Sequence, residues 1–415
     1  MASDAYVPGL AWALPFAGLL LAIAVLPLVA PHFWESNLRK LAVSGVLALP
    51  VLALYLRERP ALVAHVALDY ASFILLLAAL YVISGGIKLE GDLEATTRTN
   101  AVLLGAGALA ASFVGTTGAS MLLIRPLLQT NRERKHVAHT VVFFIFLVSN
   151  IGGCLTPLGD PPLFLGYLIG VPFAWTLRLA LPWLFTVSLV LAVYVAWDSR
   201  VRRREDPRDL ARDFYEVRPL RIAGKENLVL LAGVLAAVAL LAAPGRELTM
   251  LLLAAASYRL TDRELHRANR FTFRPILEVA ALFAGIFVTM LPALDILKAR
   301  GAELGVREPW QFFWATGLLS SFLDNAPTYL TFVALAKGLG LAPEVIGVPH
   351  GVLAAISLGA VFMGANTYIG NGPNFMVRAI AEERGVKMPG FGGYMLYSGA
   401  VLVPVFVVVT LVFFR

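Results

Sequence analysis

Apolar runs of about 20 residues recur along the whole chain, separated by short polar and charged interruptions. As a helix, a run of that length crosses a hydrocarbon core of ~30 Å. The pattern therefore predicts helices over 8–30, 41–56, 62–85, 137–172 and 173–197, then over 226–243, 247–260, 275–297, 349–377 and 392–414. Turn-forming residues interrupt 137–172 and 349–377. Two further apolar stretches, 101–128 and 309–337, bend in their middles at GTTGAS (115–120) and DNAPT (324–328). They read as re-entrant hairpins that enter and leave on one side, because irregular backbone at that depth persists only inside protein or beside a wet cavity.

The predicted fold class is an all-α polytopic membrane protein. Residues 1–198 and 226–415 each hold five spans and one hairpin, and an odd span count inverts the second half relative to the first. With the N-terminus outside, 24 of the 34 Lys and Arg residues fall in loops at the cytoplasmic face, so both termini are expected to be extracytoplasmic. The segment from Asp198 to Lys225, with 9 basic and 6 acidic residues, reads as a solvated linker between the halves. The apolar stretch from Pro8 to Ala30 lacks a basic leader and is too long for a cleaved signal, so it reads as a retained first helix.

Composition narrows the function. At 59% hydrophobic and 15% charged residues, with mean hydropathy +0.76, a water-soluble enzyme is excluded. The net charge of +7 belongs to the cytoplasmic loops and implies no nucleic-acid partner; the partners expected are the bilayer and small ions or a small substrate. One cysteine, Cys154, forms no intrachain disulfide, and no cofactor or Walker-type loop is indicated. An intramembrane aspartyl protease requires Gly-x-Gly-Asp, but Pro157 occupies the first glycine position before Asp160.

The chain also repeats itself. TPLGDPPLF at 156–164 aligns with TYIGNGPNF at 367–375, and SFVGTTGA at 112–119 aligns with SFLDNAPT at 321–328, at offsets of 211 and 209. Gly152, Gly153, Pro157, Gly159, Pro161 and Pro162 break the first interrupted helix, because Gly is costly in a helix and Pro removes a donor and clashes with the preceding turn. Breaks at mid-membrane depth expose backbone polar groups to ions or substrate. Asp160 and Asp324 are the strongest candidates, since a carboxylate in the bilayer is kept mostly where it binds something. Either can hold a proton or Na⁺ but not both, which is a basis for antiport. Candidate coordinating residues around the breaks and bends are Ser149, Asn150, Thr156, Gly159, Thr116, Thr117, Asn325, Thr328, Asn366, Thr367, Gly370, Asn371 and Asn374. Asp69, Glu278 and Asp295 read as structural, His139 as a solvated interfacial residue, and Arg125 as snorkelling to the cytoplasmic side.

With SNIGGCLTPLGDPP at 149–162, SSFLDNAPT at 320–328, GANTYIGNGPN at 364–374 and GTTGAS in the first hairpin, the chain resembles the ion transporter superfamily. The resemblance is closest to the NhaD-type sodium/proton antiporter and citrate-transporter branch, and it spans nearly the whole chain. It implies a homodimer in the bacterial cytoplasmic membrane, with a scaffold and an elevator-like mobile region. It further implies Na⁺ ligands at Asn150, Thr156, Asp160, Asp324, Asn325, Asn366 and Thr367. Carboxylate-transporting relatives carry Ser-Asn-Thr in both halves, whereas this chain has Ser149-Asn150-Ile151 and Ala365-Asn366-Thr367. The function expected is a non-enzymatic sodium/proton antiporter, with a Na⁺- or H⁺-coupled carrier of citrate or another small anion as the alternative.

Overall fold

The computed structural model describes residues 6–215 and 217–415. A 3-10 turn at Leu10–Ala13 leads into α1 (Leu14–Val29), then α2 (Pro31–Trp34), α3 (Asn37–Glu58) and α4 (Pro60–Gly85). Pro60 opens α4, a position where its missing N–H costs nothing. After β1 (Lys88–Asp92), α5 (Thr97–Val114) and α6 (Thr116–Thr130) form the first bent pair, hinged at Gly115 with φ of 81°. The first interrupted helix becomes α7 (Ala138–Leu147) and α8 (Pro161–Leu168), followed by α9 (Ala180–Arg202) and α10 (Pro207–Tyr215). Beyond β2 (Arg218–Ala223) lie α11 (Glu226–Leu240), α12 (Gly245–Leu260), α13 (Arg263–Ala268) and α14 (Arg274–Arg300). The second bent pair is α15 (Pro309–Ser320) with α16 (Asn325–Gly338), the second interrupted helix is α17 (His350–Met363) with α18 (Gly372–Glu383), and α19 (Phe391–Phe413) ends the series.

Among the described residues, six helical stretches are long and apolar enough to cross a membrane: Leu10–Pro27, Asn37–Glu58, Pro60–Gly85, Phe173–Arg202, Arg274–Leu304 and Phe391–Phe413. The chain is therefore an integral membrane protein built of helices. At 15 and 16 residues, α11 and α12 fall below the ~20 that an untilted span needs. Large apolar side chains on the outer helices, such as Leu14, Leu21, Leu181, Leu184, Leu251 and Leu396, are exposed, as lipid contact requires.

The interior is made by the interrupted helices. Every residue from His139 to Asp160 is buried, so α7 has no lipid-facing stripe, and a helix apolar on all sides belongs in the core. α17 is nearly as enclosed. Around this core α3 packs along α14 and α12 along α4, while α8 packs on α16 and α18 on α6.

Two features depart from the expected all-α reading with a solvated linker. Residues 218–223 of the linker pair antiparallel with β1, matching Leu89 to Ile222 and Glu90 to Arg221. A bulge at Gly91, with φ of 141°, accommodates the irregular register. The strands are too short and polar to carry an apolar alternation, so no periodicity announced them. The other feature is a buried charge cluster. Asp198 Oδ1 accepts from Arg134 at 2.6 Å and lies 2.8 Å from His139 Nε2, and Thr97 donates to Oδ2 at 2.6 Å. His139 is thus buried against an acid rather than solvated at an interface. Glu205 joins the cluster by accepting from the backbone N–H groups of Lys135 and His136. Burial pushes the Glu205 carboxyl up, but those N–H groups and the Arg134 guanidinium outweigh it and hold it below its usual range.

Arg134 and Asp198 have fully buried side chains, so removing Asp198 breaks a buried pair and leaves the guanidinium only the Glu205 carboxylate, 3.7 Å away, as an ion partner. Asp198→Ala is expected to cost about 3–5 kcal/mol, read as a lowered midpoint of thermal unfolding in detergent. An unchanged midpoint would show that Glu205 or water compensates the guanidinium without Asp198.

Candidate functional site

The two helix breaks are built alike. After α7, Gly152 and Gly153 form a 3-10 turn at Ile151–Cys154, and the chain returns through Thr156–Gly159 to Asp160, whose extended backbone (φ −146°, ψ 145°) sets up α8. After α17 the same path runs through a 3-10 turn at Gly364–Asn366 to Asn371 (φ −153°, ψ 142°) and α18. Each loop is laced to its neighbouring bent pair through one serine and one threonine. Thr156 Oγ1 donates to the Ser112 carbonyl, Ser112 Oγ donates to the Gly152 carbonyl, and Leu158 N donates to Thr156 Oγ1. In the second loop Thr367 Oγ1 donates to the Ser321 carbonyl, Ser321 Oγ to the Met363 carbonyl, and Ile369 N to Thr367 Oγ1. The partners are separated by the same offsets of 209 and 211 that align the sequence motifs. Ser112 and Ser321 lie inside those motifs, but a serine among apolar residues carries no functional signal of its own.

Asp160 is the centre of the arrangement, with 1% of its surface exposed. Thr116 donates to its Oδ1 at 2.8 Å, Asn371 to the same oxygen at 3.3 Å, and Asn325 to Oδ2. Each donor stands at the start of a helix: Thr116 opens α6, Asn325 opens α16, and Asn371 precedes α18, while Asp160 itself precedes α8. Four helix N-termini, each with a positive partial charge, therefore meet at one carboxylate. The Asp160 side chain does not cap its own helix; it faces the other three.

A second layer links the two breaks. Asn150 donates to the Ile145 carbonyl at 2.8 Å and to Asn374 Oδ1 at 2.7 Å. Asn374 in turn donates to the Gly364 and Thr367 carbonyls, both at 2.9 Å, and Asn371 to the Ser149 carbonyl at 3.1 Å. The hydroxyl oxygens of Ser149 and Ser120 lie 2.8 Å apart. The side-chain oxygens of Asn150 and Asn366 are buried and accept no hydrogen bond. Among the described residues no three His, Cys, Asp or Glu side chains are grouped so as to hold a metal ion, so the ligands offered here are neutral oxygens around carboxylates, a donor set that suits hard cations.

The other candidates take different places. Asp324 is half-buried and caps α16, accepting from Ala326 N at 3.0 Å, and Thr328 donates to its carbonyl at 2.9 Å. Asn366 donates to Ser321 Oγ at 2.9 Å, and Thr117 is exposed on α6. Gly159 offers its carbonyl to Thr116 N at 2.8 Å. Outside the site, Asp69 lies 3.6 Å from His65, Glu278 pairs with Lys40 at 2.6 Å, and Asp295 pairs with Arg59 at 3.1 Å.

Gly159 and Gly370 make the loop crossings possible. A Cβ on Gly159 would lie 2.4 Å from the Gly153 carbonyl oxygen, and one on Gly370 would lie 2.5 Å from that of Gly364. Gly159→Ala and Gly370→Ala are each expected to cost about 1–3 kcal/mol in thermal unfolding. Gly372→Ala, where the added carbon meets nothing within 4 Å, should match wild type. Equal midpoints for all three would show that the loops open freely.

Comparison with curated proteins returned no match. A family model described as "putative citrate transport" matches residues 5–414, from the first helix through the last, and so takes in both helix breaks and both bent pairs. The chain belongs to that citrate-transport family, a branch of the ion transporter superfamily.

Proposed function

We propose that the protein is a secondary active transporter that moves a small carboxylate anion of the citrate type together with a coupling cation. The observation that carries this reading is the convergence of the N-termini of α6, α8, α16 and α18 on Asp160. Helix N-termini favour anions, and interrupted helices place them at substrate depth in transporters. Asp160 fixes one negative charge among these donors, so an anionic cargo is repelled until Na⁺ or H⁺ neutralises it. Neutralisation also frees Thr116, Asn325 and Asn371 to turn toward the cargo. Cation and anion then favour each other's binding, and that coupling free energy is what secondary transport needs. Asp160 and Asp324, the open amide oxygens of Asn150 and Asn366, and Thr156, Asn325 and Thr367 are the ligands assigned to the cation.

In this reading residues 1–198 and 226–415 are inverted repeats joined by 199–225. The matched Ser–Thr lacing of the two loops supports it, as does the reciprocal packing of α3 on α14 and α12 on α4. The pairs α5–α6 and α15–α16 serve as re-entrant hairpins. They move with α7–α9 and α17–α19 in an elevator-like step against the remaining helices, in a homodimer of the bacterial cytoplasmic membrane with both termini outside.

Sodium/proton exchange without an anion is the second reading. It is favoured by the absence of Lys and Arg from 149–164 and 364–374, which leaves Asp160 as the one charged side chain in those segments. Liposomes decide between the two. Labelled citrate uptake is expected to rise about tenfold under an inward Na⁺ or proton gradient, and Asp160→Asn is expected to remove that gradient dependence. Cation-driven pH change without citrate, together with no citrate uptake, would establish exchange instead.

A further inference from the structure

On the side of the molecule that carries the loop after α6, the end of α9 and the loop between α18 and α19, the surface closes into a concavity of about 640 Å³. Its charged lining is entirely basic. Arg134 and His139 are turned inward to Asp198. The side chains of Arg204 in the linker, just past α9, and of Arg384 and Lys387 in the second half are exposed and make no salt bridge among the described residues. A cation-lined hollow with no acid of its own is built for a polyatomic anion such as phosphate.

The hollow does not end in water. It shares Trp197, Val201 and Arg204 with a second concavity of about 440 Å³ that runs up the outer face of α9 past Ala196 and Val193. Trp197 stacks on Tyr397 at 5.4 Å between centroids, and Trp and Tyr favour the membrane interface. The charged chamber therefore opens onto an apolar groove along a membrane-crossing helix. A free anion would use only the chamber, and a hydrocarbon chain only the groove.

We infer that the joined concavities bind an anionic phospholipid, with its phosphate held by Arg204, Arg384 and Lys387 and one acyl chain lying along α9 over Val193, Ala196 and Trp197. Basic pockets between membrane helices recognise lipid headgroups in this way. The bound lipid would tie the α18–α19 loop of the second half to the end of α9 in the first.

Native mass spectrometry of the full-length protein, released from micelles containing equal phosphatidylglycerol and phosphatidylcholine, tests the inference without reference to transport. Wild type is expected to retain phosphatidylglycerol about fivefold over phosphatidylcholine, and the triple variant R204Q/R384Q/K387Q to retain the two equally. A preference unchanged in the variant, or none in wild type, would overturn it. So would displacement by glycerol phosphate at equal concentration, which would mark a site for free phosphate. A second measurement stands if the triple variant fails to fold: brominated-chain phosphatidylglycerol should quench a share of the tryptophan emission that is missing in Trp197→Phe. Equal quenching in the two proteins would place the acyl chain elsewhere.

Discussion

A carboxylate taken out of water must have donors brought to it, or it costs several kcal/mol to keep charged. In this chain the donors are brought by starting helices at one point. α6, α8, α16 and α18 begin within reach of Asp160, and three of them deliver a side-chain hydrogen bond to it. Helices that run unbroken across a bilayer leave no N-termini at depth to serve this purpose. The breaks at 148–160 and 364–371 and the bends at Gly115 and 321–324 follow from that requirement, and so does the burial of everything around them.

Keeping four helix ends in register calls for a second tier of contacts, and the chain meets it with small polar residues that cross between elements. Thr156 and Thr367 each accept a backbone N–H from two residues ahead and donate to a serine carbonyl in the neighbouring bent pair. Asn150 and Asn374 join the two breaks directly, across 224 positions of sequence. These hydrogen bonds form where no water competes, so they fix the relative placement of the pieces more firmly than the same contacts would at a surface.

Much of this was legible in the sequence because the signals are local. Pro161, Pro162 and Pro373 open the helices that follow the breaks, and with the glycines before them they mark where a continuous helix cannot run; the breaks lie where those residues predict. The bent pairs run Thr97–Thr130 and Pro309–Gly338, a few residues wider at most than the apolar stretches suggested. What could not be read depends on distant partners. His139 looks like any interfacial histidine until Asp198 is placed 2.8 Å away, 59 positions along the chain. The strands β1 and β2 are polar and short, and each exists only because the other is adjacent. Asp324 carries the same sequence signal as Asp160, a carboxylate within an apolar stretch, yet the backbone turn at Asn325 and Ala326 makes it a helix cap as well.

The β1–β2 ladder has a mechanical consequence. β1 lies on the one chain passage from α4 to α5, and β2 on the passage from α9 to α11. Stapled together, these two crossings act as a single strap. If the inner helices slide relative to the outer ones, the give must come from the connections between the strap and those helices, residues 93–96 before α5 and the passage carrying α10 after α9. Swing at that edge is thereby confined to one short flexure instead of being shared between two independent tethers.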